Sequence, residues 1–231
     1  QIERAQKIAD KAVAAFVKKY ANDETWLEEP SRLMRALEAY EQLILVPGSN
    51  ASYYAYYRKD LNTEDKAAEA LAARLDDRGT KRGNTLLFFG LRLGKISAQK
   101  QKEFLTAPKL TSFRYYLSEL FANAKYDLSE PEERILSLKS DVSHGRWVQA
   151  TSNILDKQTV KWGTEELPLP KAEMSYNTMP TIKRRKLYGV VRDVYEKVSD
   201  VAESELNAVY TNNKINDELR GYKTPYEATI R

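Results

Sequence analysis

The sequence predicts a mainly α fold, a multi-helix bundle with one short β-hairpin near residues 160–170. Three observations carry that expectation. Apolar residues recur three or four apart through most of the chain, the period that lines one face of an α-helix. Two Ser/Thr-x-x-Glu boxes, Ser129–Glu132 and Thr224–Glu227, are built to start helices, because hydroxyl and carboxylate take up backbone N–H groups that lack helical partners. One stretch alone, TVKWGTEELPLP from Thr159 to Pro170, alternates as strands do around a turn at Gly163–Glu166.

Each element follows in order. Ile2, Ala5, Ala9, Val13, Phe16 and Tyr20 give the first helix, and ANDETWLEEP a loop. A second helix starts near Pro30 with Leu33, Leu37, Tyr40 and Ile44 on one face, and VPGSN ends it. Asn50 can cap the tyrosine-rich helix ASYYAYYRKDL. Thr63 then starts a helix carrying Ala67, Leu71 and Leu75, which DDRGTKRGN either interrupts or locally weakens, since Gly79 and Gly83 each cost ~1 kcal/mol in a helix. TLLFFGLRL is apolar on all sides and reads as buried. Ser97 caps a helix to Leu105, and Pro108 precedes another in TSFRYYLSELFANA. Ser129 opens one bearing Ile135, Leu138 and Val142; after SHG, RWVQATSNILDKQ reads as helix. Pro168 and Pro170 confine the second strand to an edge. One long helix is expected from Pro180 to about Leu219, striped by Leu187, Val191, Val194, Val198 and Val201.

Composition excludes several classes of function. The chain has 37 basic and 33 acidic residues mixed along its length, a net charge of +4 that suits solubility better than nucleic-acid binding. No run approaches the ~18 apolar residues of a membrane span. With no cysteine, disulfides and thiolate metal sites are absent, which fits a reducing compartment. His144 is the single histidine, too few for a zinc site of several nitrogen and sulfur donors and too few for H-E-x-x-H. GLRLGKIS, Gly90 to Ser97, fails as a phosphate loop on glycine spacing and on Ile96 after the lysine. KRRK, Lys183 to Lys186, reads as a solvated face or a phosphate-binding or localisation patch. Tyr53, Tyr56 and Tyr57 share one side of their helix, a pattern that favours core or interface packing. No catalytic and no metal-binding residue emerges.

Several stretches nevertheless form a pattern together: LEAYEQL, GTKRGNTLLFFGL, FRYYLSELFANAKYDLSEPEERILSLK, the Arg184-to-Tyr188 opening of the long helix, and RGYKTPYEA. With them the chain resembles the N-terminal, non-catalytic half of oligoendopeptidase F, in the thimet-oligopeptidase-like zinc metallopeptidase family. The resemblance implies a helical clam-shell around a deep channel that admits short, unfolded peptides. Zinc, the cofactor of the full-length enzyme, would be held by H-E-x-x-H and a later Glu, with the motif's Glu as general base. None of those residues has a counterpart here, so this segment is expected to be inactive alone.

What carries over is a wall of the substrate channel. Residues 1–125 would be an N-terminal helical lobe, and 126–231 a helical segment with the hairpin and the long helix leading into the catalytic half. Arg220, Gly221 and Tyr222 match the segment before that half and become substrate-channel or domain-junction residues. The implied partners are the catalytic half of the same enzyme and short peptides, with no nucleic acid and no membrane, in the cytoplasm. Both ends of the chain fit an internal segment: the first helix enters without a cap, and Thr224 opens a helix with seven residues left. The rival expectation is a free-standing helical scaffold binding protein or nucleic acid through its tyrosines and KRRK.

Overall fold

Helical periodicity becomes helix nearly everywhere in the computed structural model, which describes residues 1–46, 51–62, 65–225 and 227. The helices are α1 (Ile2–Tyr20), α2 (Pro30–Leu45), α3 (Ala51–Leu61), α4 (Lys66–Gly94), α5 (Ala98–Thr106), α6 (Arg114–Asn123) and α7 (Glu130–Ser140). They continue with α8 (Arg146–Asp156), α9 (Leu169–Met174), α10 (Thr181–Glu196) and α11 (Ser199–Arg220). Strands β1 (Thr159–Trp162) and β2 (Glu165–Pro168) form the antiparallel hairpin. The fold is thus mainly α with one hairpin, as the periodicity indicates. The chain divides into two compact units, Gln1–Leu138 and Lys139–Arg231, a division that falls further along the chain than residue 125.

In the first unit, α4 is unbroken through Gly79 and Gly83, because other helices supply the packing that outweighs their weak propensity. Its cap is Asp65, whose carboxylate accepts the Ala68 N–H at 2.9 Å; the caps expected at Asn50 and Thr63 lie outside the described residues. The inward row near its start is Ala68, Ala72 and Leu75, while Ala67 is exposed. α3 rests there through Ala55, and the small side chains on both helices permit that approach. Further along, Phe88, Phe89 and Leu93 join Phe16 and Tyr20 of α1, Leu33 and Leu37 of α2, Trp26, Phe104, Leu110 and Leu117 in the main core. Ile44, expected on the inner face of α2, is exposed. Polar groups lock α1 to α4: the Arg78 guanidinium donates to Asp10 at 2.9 Å and to Glu3 at 3.1 Å, and Arg82 donates to the buried Gln6 carbonyl at 2.6 Å.

Asn84 of α4 is a local contradiction: it is buried, and neither its amide nitrogen nor its oxygen has a protein partner. Such a group costs about 1–3 kcal/mol, whereas an apolar side chain of the same branched shape does not. Asn84→Leu is therefore expected to raise stability by about 1–3 kcal/mol in urea unfolding. A loss of stability would mean that the amide has a partner, such as an internal water.

In the second unit, the expected long helix is two. Val198 leaves helical geometry at φ −109° and ψ 9°, its N–H turns back to the Tyr195 carbonyl, and the Ser199 hydroxyl donates to the Glu196 carbonyl. Leu187, Val191 and Val194 face Val160, Leu167, Leu169 and Ala172, so burial holds α10 against the hairpin and α9. No residue of α11 is buried. The hairpin closes more tightly than the sequence suggests. Trp162 pairs with Glu165 across only Gly163 and Thr164, and Gly163 supplies the positive φ of 64°. Glu165 and Glu166 consequently belong to β2, and Pro170 lies in the first turn of α9 rather than in the strand. The interruption expected at SHG is helical too: a π-helical segment, Asp141–Gly145, joins α7 to α8.

Candidate functional site

Arg220, Gly221 and Tyr222 close α11. Gly221 takes the left-handed conformation at φ 74°, which a side chain would strain, and so lets the chain reverse. Its N–H and that of Tyr222 turn back to the Glu218 and Asp217 carbonyls at 3.2 and 3.0 Å, satisfying the end of the helix. Beyond it the Glu227 carboxylate accepts the Lys223 N–H at 2.6 Å, one residue before the Thr224 amide expected from the capping box. Tyr226 and residues 228–231, where that box would continue as helix, lie outside the described residues. The three residues therefore form a helix stop that aims the following chain.

The other capping box is half formed. Glu132 accepts the Ser129 N–H at 2.9 Å and the Ser129 hydroxyl as well, so its carboxyl is held below the usual carboxylate range. The helix it opens presents Ile135, Leu138 and Val142 to solvent rather than to a core, contrary to the amphipathic reading.

No proton-transfer pair appears among the described residues. The Tyr195 phenol donates to Glu173 at 2.6 Å, and that bond, with burial, pushes it up to about 12. Burial pushes Tyr116 up to about 12 as well. Both stay protonated at neutral pH, far from the range of a working base. No group of three or more His, Cys, Asp and Glu among the described residues could hold a metal ion, and nothing is described of the His144 side chain. A depression of about 260 Å³ is lined by Gln6, Ser52, Asp76 and Arg82; one Arg82 amino group donates to the Gln6 carbonyl there, and the other is buried without a hydrogen-bond partner. Gly90 and Gly94 of the rejected phosphate loop lie inside α4.

The tyrosines of α3 are not core residues, which leaves the interface half of the packing reading. Tyr53, Tyr54, Tyr56 and Tyr57 are all exposed, and Ala55 is the residue that packs. The Tyr53 and Tyr57 rings lie 6.4 Å apart, and Tyr56 donates to Asp76 at 2.6 Å. The signal for this was the alanine itself, the one small residue inside YYAYY.

Comparison with known proteins bears out the resemblance read from the sequence. Residues 92–154 match the family described as oligopeptidase F. The fold is similar to that of oligoendopeptidase-F from Enterococcus faecium, with a TM-score of 0.78 and 17% identity over 99% of this chain and 46% of that one. It is also similar to a protein assigned as a peptidase from Chlamydophila abortus, at TM-score 0.60 and 17% identity over 95% of this chain and 39% of that one. The chain thus spans less than half the length of the solved oligoendopeptidase-F. No curated protein sequence matches it.

Proposed function

We propose that this chain is the N-terminal, non-catalytic half of a cytoplasmic zinc oligoendopeptidase, a wall of the channel in which short, unfolded peptides are cut. The observation that carries the reading is the alignment of nearly the whole chain with less than half of a solved oligoendopeptidase-F, joined to the family match at residues 92–154. The described residues do not fit zinc, so no step of a metal-assisted reaction is assigned to them. In this reading the ion and its general base belong to the other half, and this chain contributes enclosure.

The second unit supports such a role. Leu206 and Tyr210 on one side of α11, and Ile215 and Leu219 on the opposite side, are each about half exposed or more, apolar surface that further polypeptide would cover. Arg220, Gly221 and Tyr222 would then be the junction, the helix stop after Leu219 directing the chain toward the catalytic half.

The test begins with the gene. Sequence read beyond Arg231 is expected to encode H-E-x-x-H, and the joined protein to cleave a quenched short peptide in a chelator-sensitive manner, while the 231-residue chain alone does not. A joined protein without the motif, or chelator-resistant cleavage, would overturn the zinc-peptidase reading.

A further inference from the structure

Four consecutive cations, Lys183, Arg184, Arg185 and Lys186, occupy the first turns of α10, and all four are exposed. Cations there oppose the helix dipole, so the helix gains nothing from them. Among the described residues none of the four forms an ion pair. The nearest carboxylates along the helix, Asp193 and Glu196, are taken by Arg192 at 3.5 and 3.2 Å, and Glu173 is taken by Tyr195. Arg184 is anchored to the Met179 carbonyl at 3.1 Å, which fixes the turn rather than neutralising it.

Helical spacing adds a second feature. Ile182, Arg185, Lys186 and Gly189 stand at i, i+3, i+4 and i+7, so they form one row. Ile182 is 75% exposed, and nothing lies within 4 Å of where a side chain on Gly189 would begin. A glycine inside a helix costs about 1 kcal/mol relative to alanine, and no neighbour here requires it. The row therefore offers an apolar contact, two exposed cations and a stretch of open backbone on one accessible face.

We propose that this row docks an acidic peptide segment. The choice of a peptide rests on the peptidase reading; the anionic character rests on the unpaired charge alone. Nucleic acid fits less well. One helical turn advances about 5.4 Å, room for one or two phosphates, whereas a binding stripe must follow a backbone over many. Ile182 and the exposed Tyr188 beside the cations suit side chains.

Fluorescence anisotropy of labelled hexaglutamate with the 231-residue chain tests the inference without any cleavage, so its failure leaves the peptidase reading standing. Hexaglutamate is expected to bind more tightly than hexaglutamine and to weaken as salt rises. The double variant Arg185→Ser, Lys186→Ser, with helicity checked by circular dichroism, is expected to weaken it about tenfold. A Lys171→Ser control, outside the row, is expected to leave it unchanged. Equal binding of the two peptides, an unaffected double variant, or tighter binding of a single-stranded oligonucleotide of equal charge would each overturn it.

Discussion

Phe89→Ala is expected to cost about 3–5 kcal/mol, the largest loss from any single truncation in the first unit. Its ring is fully buried and stacks on Trp26 at 4.5 Å and on Tyr40 at 4.9 Å, with Phe16 meeting it edge-on at 5.2 Å. Offset and edge-on ring pairs add stabilisation beyond area burial, so the cavity left by alanine removes several favourable contacts at once. Because the neighbours come from different helices, they cannot all move in to fill it. Urea unfolding followed by tryptophan fluorescence measures the loss, with Trp26 reporting from within the cluster. A cost below about 1.5 kcal/mol would show that the site collapses freely and that the rings are not a tight core.

Leu187→Ala is the counterpart in the second unit, with an expected cost of about 2–5 kcal/mol. Leu187 has no exposed surface and packs in the cluster of Val160, Leu167 and Leu169, so it joins α10 to the hairpin and α9. The two four-residue strands make a hairpin too small to be stable alone, and removal of this side chain is expected to release it. Hydrogen exchange at Val160 and Leu167 reads that release directly. Unchanged protection there would mean that the hairpin is held by contacts other than those to α10.

The sequence made most helices legible because periodicity and caps act locally. Ser97 caps α5 through the Lys100 N–H, as its position indicates. Leu187, Val191 and Val194 are buried as their spacing requires. What failed were inferences that need a partner to be known. Ile135, Leu138 and Val142 form an apolar stripe that the described structure does not cover, and on α4 Leu75 is buried and Leu71 half-buried as expected, whereas Ala67 is exposed and Ala68 and Ala72 are the alanines that turn inward. The break at Val198 was hidden because its apolar stripe continues through it; only the side-chain bond of Ser199 back to Glu196 marks the boundary. For the candidate site, the end of the helix near Leu219 was legible from periodicity, whereas the role of Gly221 as its left-handed stop was not singled out. The direction taken after it depends on packing that no local pattern encodes.

The tie between α1 and α4 also bears on synthesis. Asp10 meets Arg78 across a sequence separation of 68, and Phe16 packs against Phe89 later still in the chain. A ribosome adding ~5–20 residues per second leaves the apolar face of α1 uncovered for several seconds while the intervening helices emerge. Through that interval the nascent α1 helix would be a natural client for a chaperone at the tunnel exit. Slow codons between α2 and α4 would lengthen its exposure rather than help it fold.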